Sequence, residues 1–219
     1  MFSLARNCRV VEPQLGKIVY MGSFWRICAV ALLAASPLCA QVIEFEQNGL
    51  KYQTLTRADV TVMFAHMPQH LKGYSMMQVA IANGSKLPCV IRPEDFSYAR
   101  QTQEIQATPA TTIVKMLMDR GDHEDVVKLT LAYESVLYGF NRMKFTNGYE
   151  LRRQNFMSYG VSARVKAAAE ASAIVLVPGK LKPGESTDGA IFFRNEAKTL
   201  TGGHVTFRVS GEVFTFNDD

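Results

Sequence analysis

Cysteine is scarce where it would matter. Of four cysteines in 219 residues, Cys8, Cys28 and Cys39 lie in the first forty positions, and Cys89 stands alone beyond them. An exported domain with one cysteine has no internal disulfide, so a hydrophobic core must hold it. Cys89 sits in Leu87-Pro88-Cys89-Val90-Ile91, an apolar context that predicts a buried thiol. No apolar run reaches the roughly 20 residues a bilayer-spanning helix needs. Net charge is also low once its location is considered. Four of the 24 Lys and Arg (Arg6, Arg9, Lys17, Arg26) but only one of the 20 Asp and Glu (Glu12) fall in residues 1–40. The remainder is near neutral, which removes the electrostatic basis for general nucleic-acid binding. Catalytic signatures are missing too: no G-x-S-x-G elbow, no S-x-x-K with its partners, no glycine-rich phosphate loop, no EF-hand spacing. The expectation is a protein that is not an enzyme and carries no cofactor.

The clearest positive feature is Met21 to Ala40, MGSFWRICAVALLAASPLCA. One positive charge, Arg26, precedes the short apolar core Ile27–Ala35, and small residues follow. That is the layout of a secretory signal peptide. Residues 1–40 are therefore read as leader and signal peptide, with translation starting at Met21 and cleavage after Ala40. Leu38, not a small residue, directly precedes Cys39, which favours plain cleavage over a lipid anchor. No Arg-Arg pair precedes the core, so a twin-arginine route has no support. The mature protein is expected in the periplasm or outside the cell.

From Gln41 to Gln106 the pattern is β. Asn48-Gly49 between two alternating runs marks a hairpin. Val60, Val62 and Phe64 alternate with polar or small neighbours, and Tyr74–Ala82 ends at Asn83-Gly84-Ser85. From Thr108 to Ala173 the period changes to helical. Thr108-Pro109 opens a helix; Val126, Leu129 and Tyr133 form an apolar stripe on a second; a third stretch follows Asn147-Gly148, with Gly160 able to split it. From Ile174 the pattern is β again, beginning with a continuous apolar strand, Ile174–Val177. The architecture that fits is a single domain, residues 41–219: an antiparallel β-sandwich with a helical insertion at about 108–173. The two β halves are too small to stand alone and are expected to share a core.

Two segments carry a family likeness. In residues 74–98, Asn83, Ser85, Pro93, Asp95 and Phe96 form an N-x-S turn before a P-x-D-F strand. In residues 175–193, Leu181, Pro183, Gly184 and Glu185 form an L-x-P-G-E turn before the Gly189 to Phe193 strand. The arrangement resembles secreted bacterial immunoglobulin-like domains, including the immunoprotective extracellular antigen group. The resemblance implies an immunoglobulin-like sandwich and no catalytic residues. The long helical insert departs from the simple pattern. Independently of it, Pro183 and Gly184 suit a tight turn, and Gly189 marks a bulge or a strand start.

Two groups of residues carry possible chemistry. Met63, His66, Met67 and His70, with Met76 and Met77 nearby, offer thioether and imidazole ligands for copper. The competing reading is core methionines beside two solvated histidines, because Pro68 lies between the histidines and strand alternation separates neighbours. His123 and His204 are isolated. Residues 142–182 are rich in positive charge, with Arg152, Arg153, Arg164 and Lys166 on the helical insert. These suit an acidic partner or an anionic membrane surface, against the plainer reading of a solvated helix face. The leading expectation is an exported, non-catalytic interaction or structural module of the bacterial cell envelope, partnered by an envelope protein. A periplasmic copper-binding protein and a surface or membrane adaptor acting through the basic insert are the alternatives.

Overall fold

Period-2 alternation across short runs, broken by turn residues, dictates antiparallel sheets here. The computed structural model describes residues 41–47, 49–71, 73–119, 123–137, 145–157, 163–195 and 200–218; the expected leader, residues 1–40, lies outside them. Strands β1 (Ile43–Gln47), β2 (Leu50–Arg57), β3 (Val60–Leu71) and β4 (Tyr74–Asn83) follow one another as an antiparallel meander. Gln47 pairs with Leu50 around the expected Asn48-Gly49 hairpin step. After β5 (Cys89–Ile91) and a single 3₁₀ turn at Pro93–Asp95 come β6 (Phe96–Arg100) and β7 (Gln103–Gln106).

The helical stretch comprises α1 (Ala110–Asp119), α2 (His123–Leu137), α3 (Tyr149–Met157) and α4 (Ala163–Ile174). The chain returns through β8 (Gly179–Leu181), β9 (Ser186–Arg194), β10 (Gly203–Val209) and β11 (Glu212–Asp218). Among the described residues the sheets are β1-β2-β3-β4-β9, β11-β10-β6-β7 and the pair β5-β8, every strand pair being antiparallel.

Two apolar clusters follow from alternation on the five-stranded sheet. On one face Val62, Phe64, Met77, Val79, Ile81, Ile191 and Phe193 join Phe96, Tyr98, Val205, Phe207, Phe214 and Phe216 of the four-stranded sheet. The opposite face, with Tyr52, Ala65, Met67, Met76, Ala80 and Phe192, packs on Ile113, Leu129, Tyr133 and Ile174 of the helices. The two β halves therefore share a core, and β4 pairs with β9 across the helical insertion. Cys89 is buried in the inter-sheet cluster, and burial pushes its thiol up.

Two local expectations change, and one strand is added. Ile174–Val177 is not a strand: α4 runs to Ile174, and Val175 makes a single parallel bridge to Ala190. Continuous apolar runs give no period to separate the two cases. Gly189 is neither a bulge nor a strand start but sits mid-β9, opposite Val79. It is required there, because a Cβ would lie 2.5 Å from the Cα of Leu176. Strand β7, too short and polar to stand out, completes the edge of the four-stranded sheet.

Candidate functional site

Burying a charge is costly unless hydrogen bonds surround it, so buried ionisable groups are the first place to look for function. Asp188 on β9 and Arg152 on α3 are such groups, with 0% and 7% of their surface exposed. Alternation turns Asp188 toward the helices, between Ser186 and Ala190. The hydroxyl of Tyr133 donates to its Oδ2 at 2.6 Å, and the backbone N–H of Tyr149 donates to its Oδ1 at 2.8 Å. Tyr149 opens α3, so the carboxyl of a neighbouring strand satisfies an orphan N–H at a helix start. Gly148 permits this approach, since a Cβ there would meet Asp188 Oδ1 at 2.8 Å.

Arg152 completes the opposite helix end. Its Nε and Nη2 donate to the carbonyl of Ala173, at 3.1 and 2.7 Å, in the last turn of α4. Nη2 also donates to the carbonyl of Asp188 at 2.8 Å. Nη1 donates to the carbonyl of Asn147 at 2.6 Å and to Thr187 Oγ1 at 3.3 Å. The planar five-donor fork of arginine is thus fully used on oxygens inside the molecule. Around this pair, Tyr149 donates to Glu134 Oε1 at 2.8 Å, and Arg153 Nη1 meets the same oxygen at 2.8 Å.

The electrostatics follow from burial. Burial raises the Asp188 carboxyl, although the Tyr133 hydroxyl, the Arg152 charge and the Tyr149 N–H each pull it down. Tyr133 stands well above a free phenol, first through burial and then through the charge and hydrogen bond of Asp188; Arg152 and Gln78 oppose the shift. Burial also raises Tyr149, reinforced by Glu134. The set is arranged to clamp α3 and α4 onto β9, with its donors and acceptors turned on one another.

A second candidate is an open cleft of about 590 Å³ beside the β1-β2 hairpin. Glu44 and Glu46 lie on the face of β1 that looks toward the four-stranded sheet, as does Val42, which packs on the inter-sheet cluster. Gln53 Nε2 donates to Glu44 Oε1 at 3.0 Å and to the carbonyl of Asn217 at 2.8 Å, joining the two sheets along the cleft. Phe64 stacks on Phe216 at 5.5 Å and makes a T-shaped contact with His66 at 5.5 Å. Leu200 and Thr201 also line the cleft. On the helix side of the hairpin Phe45 stacks on Tyr52 at 5.1 Å, and burial pushes the Tyr52 phenol up to about 12.

The residues singled out from sequence are dispersed. Met63 and Met67 pack into the helix-side cluster, whereas His66 lies on the opposite face of β3 with Phe64. Met63 and Met67 therefore do not converge with His66, for the reason alternation gives. Met76 and Met77 likewise separate into the two clusters. His70 pairs with Ser75 beyond a register shift, and its side chain lies outside the described residues. Among the described residues no group of three or more His, Cys, Asp or Glu side chains is placed to hold a metal ion.

Of the proposed partner-binding cations, Arg152 is internal, which corrects its reading as a surface contact. Arg153 is partly exposed and paired with Glu134. The side chains of Arg164 and Lys166 lie outside the described residues. Sequence reasoning misses Asp188, Tyr133 and the cleft carboxylates. The spacing of Tyr149 and Arg152, three residues apart on one helix face, is the available signal for a buried arginine.

Among the described residues no helix is long and apolar enough to cross a membrane. No family model, no curated protein and no solved structure matches the chain.

Proposed function

We propose that the chain is an exported, non-catalytic immunoglobulin-like interaction or structural module of a bacterial cell envelope. The observation that carries this reading is how the buried charges are used. Asp188 and Arg152 serve helix ends and internal carbonyls, the work of a scaffold that holds a surface rigid. Two further features support it. The N-x-S and L-x-P-G-E turns meet in space, so the two segments that carry the family likeness are joined to one another. The signal-peptide layout of residues 21–40 is what an envelope module carries. The surface on offer is the outer side of the helical layer, where Leu131 on α2 and Leu151 on α3 are exposed and Arg153 is held by Glu134.

The test uses the full chain expressed in a bacterium, with a photo-crosslinking residue at position 131. The expected result is a processed protein beginning at Gln41 in the envelope fraction, giving one discrete adduct that Leu151→Glu abolishes. Unprocessed protein in the cytosol, or turnover of a substrate by the purified mature chain, would overturn the reading.

A further inference from the structure

Among the described residues, strand β1 ends the five-stranded sheet and pairs with β2 alone. In an antiparallel pair every second residue of a terminal strand turns its N–H and C=O outward, so β1 carries outward backbone groups that no described strand pairs. All of its residues except Phe45 are exposed, including Ile43. The opposite border of the same sheet is treated differently: Ala107, Asn147 and Val175 each bridge to β9 there.

The two faces of β1 differ in chemistry. Glu44 and Glu46 line the cleft from the face of β1 toward the four-stranded sheet, while alternation turns Ile43 and Phe45 to the other face, from which Phe45 also borders the cleft. Strand geometry sets the two carboxylates about 7 Å apart, the repeat of alternate side chains in any extended chain. Lys51, opposite Glu46, is the one lysine or arginine among the described residues lining the cleft, against two carboxylates. Glu44 is held by Gln53 and so is oriented before anything binds.

We propose that β1 and the adjoining cleft bind an extended peptide segment with basic residues at alternate positions, added as a sixth strand to the sheet. Its backbone pairs with the open side of β1. Its lysine or arginine side chains enter the cleft against Glu44 and Glu46, and the apolar residues between them cover Ile43 and Phe45. This gives the interaction-module reading a site and a partner chemistry, and it rests on that reading only in taking the protein to bind partners. The competing explanation is that Glu44 and Glu46 merely protect an edge strand from self-association.

The experiment is calorimetric titration of the purified protein with the capped peptide Val-Lys-Val-Lys-Val and with its isomer Lys-Lys-Val-Val-Val. The alternating peptide should bind at least about tenfold more tightly than the isomer, and its affinity should fall as salt rises. Glu44→Gln with Glu46→Gln should weaken it by a similar factor while leaving the thermal melt unchanged. Both side chains are exposed, and the amide introduced by Glu44→Gln still offers Gln53 an acceptor oxygen. Equal binding of the two peptides, undiminished binding by the double variant, or no binding at millimolar peptide would each overturn the proposal and leave edge protection as the role of the carboxylates. A crosslinked adduct at position 131 is unaffected by those outcomes, so failure here is separable from failure of the module reading.

Discussion

The side-chain amide of Asn83 donates to the carbonyl of Leu181 at 3.0 Å, across 98 residues of sequence. The same amide donates to the carbonyl of Leu87 at 2.9 Å, and Asn83 Oδ1 accepts from the N–H and the hydroxyl of Ser85. The backbone completes the junction: the Asn83 N–H donates to the carbonyl of Glu185, and the Gly184 N–H donates back to the carbonyl of Asn83. Gly184 adopts φ +80°, which the Pro183-Gly184 step makes accessible. One buried asparagine thus closes the turn after β4 and fastens it to the turn before β9.

Replacing Asn83 should therefore cost more than replacing a surface turn residue. Asn83→Ala removes the donor to two carbonyls and the acceptor for Ser85, and leaves buried groups without partners. A loss of about 2–3 kcal/mol is expected. Asn83→Asp keeps the acceptor and loses the donor, setting a carboxylate against the Leu87 and Leu181 carbonyls, so it should be at least as damaging. Urea denaturation of the purified protein measures both; a loss below about 0.5 kcal/mol for Asn83→Ala would show that the two turns are held by backbone alone.

Gly189 offers a contrast between two glycines in neighbouring segments. A Cβ at position 189 would lie 2.5 Å and 2.6 Å from the Cα and N of Leu176, both backbone atoms. Leu176 is itself fixed by its N–H bond to the carbonyl of Ala190, so neither chain can yield cheaply. Gly189→Ala should destabilise by about 3 kcal/mol. At Gly179 the nearest atom to an added Cβ is 3.9 Å away, and Gly179→Ala should be neutral or stabilise by about 0.5 kcal/mol. Thermal melts of the pair check this; similar effects at both sites would mean that the close crossing of residue 176 over β9 does not constrain the fold.

The parts of this fold legible in sequence are those with a period. Val60, Val62 and Phe64 announce a one-sided strand, and Val126, Leu129 and Tyr133 announce a helix with a buried stripe, because burial on one side leaves a repeat of two or of about 3.6. Ile174–Val177 has no period, so an apolar helix end and the chain beyond it read as a strand. The polar junction is illegible for another reason. Asp188 meets Tyr133 and Tyr149 at separations of 55 and 39 residues, and nothing near Ser186-Thr187-Asp188-Gly189 signals a partner. Arg152 and Arg153 are adjacent and chemically alike, yet one turns inward to carbonyls and the other outward to Glu134; only the phase of α3 relative to Tyr149 distinguishes them. Met63 and Met67 part from His66 because a strand sends neighbours to opposite faces, which proximity in sequence does not reveal.

The Asp188 carboxyl makes the stability of this junction depend on pH in a definite direction. Burial raises it in the folded protein above the ordinary aspartate range near 4. The folded state then holds the proton over a window in which the unfolded chain has released it. Stability from this group is present in full at the acid end, falls as pH rises from about 4 through the folded titration, and is level above that. Asp188→Asn has no charge to titrate and lacks this slope. It also presents an N–H₂ in place of one acceptor, so either the Tyr133 hydroxyl or the Tyr149 N–H loses its partner, at roughly 1–3 kcal/mol. Urea denaturation of both proteins between about pH 3 and pH 8 isolates the effect of the carboxyl, because contributions from the other acids cancel in the difference. The advantage of the wild-type chain over Asp188→Asn should shrink as pH rises. An advantage that grows instead would mean that Arg152, Tyr133 and the Tyr149 N–H together outweigh burial, and that the junction is built for the charged carboxylate.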